Sequence, residues 1–305
     1  AKWGYHWAYV AVQKTEIPKT DDPSWVNNNI DRFILDKLKE KQLGHSAEAD
    51  KRVLLRRVSL DAIGLPAPSS LAAAYLRDPT DQAYETLVDS LLANKHFGER
   101  WTSMWLDLAR YADSKGYEKD EHRDIWKYRD WLIQAFNADK PYDQFLTEQL
   151  AGDLLPDPSE QQFIATAFQR NTMTNDEGGT DNEEFRTAAV LDRVNTTWEA
   201  LMGTTFSCVQ CHSHPYDPFR HDEYYKFMAF FNNTRDEDSF GDYPVYREYN
   251  DSATAKMKEL TDWLQQNSGE QKAKEIKEFL LTWEPSINSL NADKLVNSAI
   301  ADTKW

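Results

Sequence analysis

Cysteine is scarce in this sequence of 305 residues, which contains only Cys208 and Cys211. Two cysteines at this spacing cannot form the multi-bridge framework of a small secreted domain. A chain of this length can bury a core without one. Apolar runs are also short, and none approaches the roughly 20 residues that a membrane-spanning helix needs. We therefore expect no membrane span.

Basic residues are in deficit. There are 35 Lys and Arg against 51 Asp and Glu, for a formal net charge of -16. Nucleic acids and anionic membrane surfaces attract basic faces, so this balance argues against both as partners. Strand-type alternation of apolar and polar residues is almost absent, whereas apolar residues recur at helical spacing along most of the chain. The sequence therefore predicts an all-α fold.

Both cysteines lie in the run Cys208-Val-Gln-Cys211-His212. The pattern C-x-x-C-H is typical of c-type haem attachment, in which two thiols bind the haem vinyl groups and the adjacent imidazole is the proximal iron ligand. A zinc site that uses both cysteines with His214 or His221 is an alternative. A redox-active dithiol is a third, although it is usually found in a βαβ setting that this sequence lacks.

Covalent haem attachment takes place outside the cytoplasm, so the motif predicts an extracytoplasmic protein. No signal peptide is visible in the sequence, and we expect one to have been removed or to lie upstream. We predict an extended arm over residues 1–27 and a multi-helix domain wrapped around the haem over residues 28–235. A helical hairpin or coiled coil over residues 236–305 would reach toward a missing domain.

The second axial ligand has to come from elsewhere in the chain. His214 follows His212 by two residues, which span about 7 Å at most, too little to reach the opposite face of the same haem. It could instead hydrogen-bond near the haem edge, bind another group, or fix the local turn with Asp217. Met173, in a polar loop, is the first candidate for the distal ligand. His122, His221 and an open iron site are the alternatives.

Two polar loops could complete the site. In the first, residues 111–122, Tyr111 and Asp113 are candidate catalytic groups for proton or radical transfer. The alternative is an ordinary helix C-terminus whose polar groups satisfy the backbone. A distal methionine would favour electron transfer, whereas an open iron would favour a haem-dependent oxidoreductase.

The second loop, residues 171–184, is acidic and contains a Gly-Gly turn. Its carboxylates are candidate calcium ligands: Asp176, Glu177, Asp181, Glu183 and Glu184. The alternative is a solvated loop that caps the next helix through Asp181 or Asn182. Arg186 and Arg193 share one face of that helix and could bind the haem propionates. Arg186 could equally pair with the acidic loop.

Longer runs along the chain carry a further signal. They are Ile30-Asp-Arg-Phe-Ile-Leu35, Leu60-Asp-Ala-Ile-Gly-Leu-Pro66, Trp105-Leu-Asp-Leu-Ala-Arg-Tyr-Ala-Asp-Ser114, Tyr117-Glu-Lys-Asp120, Trp126-Lys-Tyr-Arg-Asp-Trp131, Asn137-Ala-Asp-Lys-Pro-Tyr-Asp143, Glu148-Gln-Leu-Ala-Gly-Asp153, Arg170-Asn-Thr-Met-Thr-Asn-Asp-Glu-Gly-Gly179 and the cysteine motif through Pro218. Together these runs resemble one known family, a planctomycete-type domain of unknown function that accompanies a cytochrome c domain in large secreted proteins.

The resemblance implies secretion, haem chemistry and, as partners, a redox protein or missing domains of the same precursor. It implies no particular reaction. A second function stays open, because exposed aromatic residues would suit a non-catalytic module that binds polysaccharide or protein. In that case haem or zinc would be structural.

Overall fold

The structure is a computed structural model that describes residues 7–78, 80, 82–175, 177–234, 246, 251–269, 271–272 and 274. These residues form eleven α-helices and several short 3-10 turns. Within these ranges there is no β-strand, and a single antiparallel bridge pairs Ser114 with His122. The predicted all-α fold is confirmed. No helix in the described part of the chain is long and apolar enough to cross a membrane.

The chain divides into two compact units. The first contains Ala1–Met104, Phe136–Ala138 and Cys208–Tyr224, and the second contains Trp105–Ala135, Asp139–Ser207 and Tyr225–Trp305. The cysteine motif therefore belongs to the first unit, whereas both polar loops belong to the second. The arm and domain boundaries predicted at residues 27 and 235 remain predictions.

The N-terminal part of the first unit, as far as the structure describes it, contains four helices and the start of a fifth. They are α1 (Asn29–Glu40), α2 (Lys51–Ile63), α3 (Ser69–Arg77), α4 (Gln82–Leu92) and the start of α5 (His96–Leu108). Apolar residues from α2, α3 and α4 pack together as one buried cluster: Ile63, Tyr75, Ala83, Leu87 and Leu91. The α4 members recur every four residues, so one stripe of this helix faces the cluster.

Polar side chains fix where these helices begin. Asn28 accepts hydrogen bonds from the backbone N–H groups of the first turn of α1, while Asp31 accepts from the Asn28 backbone in a full capping box. Asn28 is therefore the cap of α1. Helix α2 begins at Lys51, because Asp50 caps its first turn.

The remaining helices are α6 (Trp126–Asn137), α7 (Tyr142–Ala151), α8 (Glu160–Ala165), α9 (Asn182–Met202), α10 (His221–Met228) and α11 (Asp251–Ser268). In the second unit, Gln149 is buried and its amide oxygen accepts from Tyr128 Oη at 2.7 Å and Trp105 Nε1 at 2.9 Å. The Trp105 and Trp131 rings both pack on Phe145, at centroid distances of 4.8 and 5.5 Å. The core of this unit thus consists of aromatic rings packed around the hydrogen-bonded side-chain amide of Gln149.

The C-terminal extension is described in part. Helix α11 ends at Ser268, and Gly269 follows with φ at 81° in the left-handed region. A glycine in this conformation commonly ends a helix. Most of the second arm of the predicted hairpin lies outside the described residues.

Candidate functional site

A 3-10 turn, Phe206–Gln210, carries the first cysteine of the motif. Residues three apart share one face of such a turn. Phe206 and Val209 are buried, with Val209 fully inaccessible to solvent. Cys208 and Cys211, also three apart, are both exposed, and both are free thiols. The buried pair thus anchors the turn while the cysteine pair faces solvent.

His212 is exposed beside the second thiol. Its Nδ1 lies 2.9 Å from the backbone oxygen of Ser213. A carbonyl can only accept a hydrogen bond, so Nδ1 donates and the lone pair of the ring is on Nε2. Histidines that bind metal through Nε2 commonly donate Nδ1–H to a backbone carbonyl in this way.

The residues of this turn fit a covalently bound haem. Attachment needs two free, accessible thiols and an imidazole nitrogen with a lone pair, and Cys208, Cys211 and His212 provide them. For the zinc alternative, no group of three or more His, Cys, Asp or Glu side chains is gathered as a metal site within the part of the chain that the structure describes.

His214 closes the turn that follows. Its Nδ1 lies 2.8 Å from the backbone nitrogen of Asp217 and 3.3 Å from that of Tyr216. The Asp217 carboxylate is farther away, at 3.4 Å from the same ring nitrogen. The backbone N–H of His214 donates to the oxygen of Phe219 at 2.9 Å. His214 therefore lies at the centre of the local hydrogen bonds over residues 214–219.

His221 ties the start of α10 back to the motif. Its Nδ1 lies 2.9 Å from the Val209 oxygen, and its backbone N–H donates to Ser213 Oγ at 3.1 Å. These bonds reach residues on both sides of Cys211 and His212. The arm also contacts this region, because the Tyr9 ring packs edge-on against Phe219 at 5.9 Å.

In the second unit, the loop over residues 109–125 folds into a narrow hairpin. Lys115 N–H donates to the Glu121 oxygen at 2.9 Å, and Arg123 N–H donates to the Asp113 oxygen at 3.0 Å. Non-glycine residues in this loop adopt left-handed backbone conformations: Arg110 (φ 58°), Tyr117 (φ 53°) and Asp120 (φ 43°). Such conformations are unfavourable for residues with a Cβ and often mark functional loops.

Arg123 joins this hairpin to the loop over residues 171–181. Its guanidinium donates to the backbone oxygens of Arg170 at 3.2 Å and Thr172 at 2.8 Å, and to Thr174 Oγ1 at 2.7 Å. The Thr174 N–H also donates to the Lys115 oxygen at 3.0 Å. The two loops that the sequence singled out separately therefore lie side by side.

Met173, the predicted distal ligand, lies at this junction with 56% of its surface exposed. Gly116 has φ at 79°, in the left-handed region that favours glycine, and a Cβ there would approach Met173 Cγ to 2.7 Å and Sδ to 2.8 Å, so the thioether would have to shift. Met173 belongs to the second unit and His212 to the first. Its role as an iron ligand remains a prediction.

The predicted catalytic pair is in direct contact. The Tyr111 hydroxyl donates to Asp113 Oδ1 at 2.5 Å, and Arg129 Nη1 lies 3.8 Å from Asp113 Oδ2. Burial, followed by the bond to Asp113, raises the pKa of Tyr111. The phenol therefore stays protonated as a donor and Asp113 is the acceptor. Their catalytic role remains a prediction.

Sequence reasoning missed a partly buried charge pair at the start of this loop, between Arg110 and Asp192. Arg110 Nη2 lies 2.9 Å from Asp192 Oδ2, and Arg110 Nε donates to Thr196 Oγ1 at 2.7 Å. Burial raises the pKa of Asp192, and the attraction of Arg110 opposes that shift. Next to it, Arg193 is almost fully buried and donates to the Gln169 oxygen at 2.8 Å. The sequence signal that could have indicated these contacts was the pair of adjacent charged residues, Asp192 and Arg193, in the middle of helix α9.

Arg186 and the acidic loop meet at the start of α9. Arg186 makes a two-pronged ion pair with Glu183, with both bonds at 2.7 Å, and donates to Asn232 Oδ1 at 3.0 Å. Asp181 caps α9 by accepting from the Glu183 and Glu184 N–H groups; the sequence offered a cap at Asp181 or Asn182 as the alternative to a calcium site. Asp176 lies outside the described residues. Binding of calcium here and of haem propionates by Arg186 remain predictions.

The fold and this geometry define a class: an all-helical protein that presents a pair of free thiols and an imidazole from one exposed turn. The chain belongs to the PSCyt2 family, described as "protein of unknown function (DUF1549)", whose family model matches residues 29–236. The resemblance to a planctomycete-type domain of unknown function is thereby confirmed. No curated protein and no solved structure matches the chain. The description of the family states no activity, so function has to be argued from the site.

Proposed function

We propose that this chain is an extracytoplasmic c-type haem protein that acts in electron transfer or haem-dependent oxidation, as part of a larger multidomain protein. The observation that carries the proposal is the exposed turn on which Cys208, Cys211 and His212 are presented together. An inert pair of thiols would have no reason to stand beside an imidazole whose Nε2 carries the lone pair.

Each residue of the turn has a separate task in this proposal. Cys208 and Cys211 hold the haem through thioether bonds, and His212 binds the iron through Nε2. The Ser213 carbonyl fixes the orientation of the His212 ring through Nδ1. Buried Val209 anchors the backbone between the cysteines. When bound, the haem supplies one-electron chemistry, while the chain holds and orients it.

Residues of the second unit supply the further parts of the proposal. Met173 is the candidate distal ligand, and Tyr111 with Asp113 is the candidate donor–acceptor pair. Arg186 is the candidate partner of a propionate. A net charge of -16 favours a redox partner with a basic face, because complementary charge steers association.

The test is to produce the chain by export in a host that matures c-type cytochromes and to record its reduced-minus-oxidised spectrum. We expect bands of a c-type haem in the wild type and none in Cys208→Ala or Cys211→Ala. Ser207→Ala, a neighbouring change outside the motif, is the matched control and should keep the bands. A colourless wild-type protein would refute the proposal.

Exposed aromatic side chains favour the second candidate function, a polysaccharide-binding module. In the first unit, Trp7 is 82% exposed and Tyr216 is 80% exposed. Such rings can stack on sugars, and the acidic net charge favours a neutral polysaccharide over an anionic one. Affinity electrophoresis in gels that contain a neutral β-glucan should retard the wild type more than Tyr216→Ala. Equal mobility with and without the glucan would exclude this function for that ligand.

A further inference from the structure

His212 and His214 have opposite hydrogen-bond partners at the same ring atom. Nδ1 of His212 faces a backbone carbonyl, which accepts. Nδ1 of His214 faces two backbone N–H groups, those of Tyr216 and Asp217, which donate. In the neutral imidazole one ring nitrogen donates and the other accepts. The two neighbouring histidines are therefore held in opposite tautomers, with the proton of His214 on Nε2.

Within the described part of the chain, the Asp217 carboxylate is the acceptor near Nδ1 that could favour the other tautomer of His214. It lies 3.4 Å from Nδ1, whereas the Asp217 N–H nitrogen lies at 2.8 Å. The shorter distance is that of a well-formed hydrogen bond, and 3.4 Å is at the long limit. A proton on Nδ1 would also oppose both backbone donors, so we assign the lone pair to Nδ1.

We propose that His214 is a positioning residue for the haem-attachment turn and not a metal ligand. The proposal rests on the proposed function. With its proton on Nε2, His214 cannot give a lone pair from that atom to a metal, and its Nδ1 lone pair is used by the backbone. The bonds that it makes close residues 214–219, and His221 then connects this turn to Val209 and Ser213. The backbone on the C-terminal side of Cys211 and His212 is thereby fixed.

Two substitutions separate positioning from ligation. In His214→Asn the side-chain oxygen takes the place of Nδ1 and can accept from the same N–H groups, as asparagine commonly does in turns. In His214→Gln the polar group lies near the Nε2 position and that acceptor is lost. Positioning predicts that the Asn variant keeps covalent haem near the wild-type level while the Gln variant loses at least half. Ligation through Nε2 predicts that the Asn variant also loses the wild-type spectrum.

The tautomer can be read without haem, by long-range nitrogen–proton NMR of the imidazole in chain produced without haem maturation. We expect the His214 proton on Nε2, and amide exchange at residues 216 and 217 faster in His214→Gln than in His214→Asn. A proton on Nδ1 would overturn the inference whether or not the protein binds haem. Equal haem content in both variants would overturn it as well. Wild-type protein without haem would instead refute the proposed function, and with it the attachment role of His214.

Discussion

Two threonines of the 171–181 loop should respond to the same substitution with opposite sign. Thr172 Oγ1 is buried and has no hydrogen-bond partner among the residues that the structure describes, and Thr172 is only 1% exposed. Thr174 Oγ1 accepts from the Arg123 guanidinium at 2.7 Å. Valine has nearly the same shape as threonine and lacks the hydroxyl. Thr172→Val therefore removes an unsatisfied group, whereas Thr174→Val removes a charge-assisted bond.

The magnitudes follow from these two environments. An unsatisfied buried polar group costs about 1–3 kcal/mol, so Thr172→Val should raise the free energy of unfolding by about 1 kcal/mol. A hydrogen bond to a charged group contributes about 1.5–3 kcal/mol, so Thr174→Val should lower it by about 2 kcal/mol. The two variants should thus differ by roughly 3 kcal/mol, well above the error of a denaturation experiment.

Urea denaturation of wild type and both variants, with the slopes against urea compared, is the assay. Equal slopes ensure that the midpoints report stability and not a change in how the two units unfold. The reasoning is refuted if Thr172→Val is destabilised by as much as Thr174→Val. The Thr172 hydroxyl would then make a hydrogen bond about as stabilising as the one between Arg123 and Thr174.

Three further substitutions test other contacts. Arg123→Met should lower the free energy of unfolding by about 2–4 kcal/mol, because it removes the hydrogen bonds of a buried guanidinium to Thr174 and to the backbone oxygens of residues 170 and 172. Arg129→Met, at a half-exposed surface pair, should change it by less than about 0.5 kcal/mol. Equal effects of the two substitutions in urea denaturation would contradict this. Hydrogen bonds to the Ser46 carbonyl and to Asp22 raise the pKa of His45. The protonated ring should therefore stabilise the fold fully below the ordinary histidine pKa of about 6.5. This stabilisation should be lost as pH rises through the higher pKa of the folded state. An NMR titration of His45 should show a lower midpoint in Asp22→Asn, and an unchanged midpoint would refute the pairing. Asp181→Ala should lower the free energy of unfolding by about 1 kcal/mol through loss of the α9 cap, while Glu184→Ala serves as the control and should have a smaller effect.

Much of the helical architecture could be predicted because the signals are local. Asn28, Gly64 and Asp181 are residue types that commonly cap helices, and they begin α1, end α2 and begin α9. The exact start of a helix is less certain from sequence, as at α2, where Asp50 follows other polar residues and accepts the first N–H groups. Local hydrogen bonds decide such boundaries, and several polar residues in a row make the choice ambiguous.

Contacts between distant segments could not be predicted in the same way. The sequence singled out both polar loops, but it did not indicate that Arg123 connects them through backbone oxygens of residues 170 and 172. Every residue has a backbone oxygen, so the sequence does not indicate which of these oxygens accepts a side-chain hydrogen bond. The left-handed conformation of Arg110 was also missed, since glycine is the usual residue there. Its partly buried ion pair with Asp192 and its hydrogen bond to Thr196 give the physical reason for an arginine at this position.

The central claim is that Cys208 and Cys211 bind haem covalently. The most direct measurement is the intact mass of the denatured wild-type chain after export from a host that matures c-type cytochromes, because thioether-bound haem survives unfolding. We predict the mass of the chain plus one haem, and the mass of the chain alone for the double variant Cys208→Ala/Cys211→Ala. A wild-type mass equal to the chain alone, with both thiols reactive toward an alkylating reagent, would contradict the account.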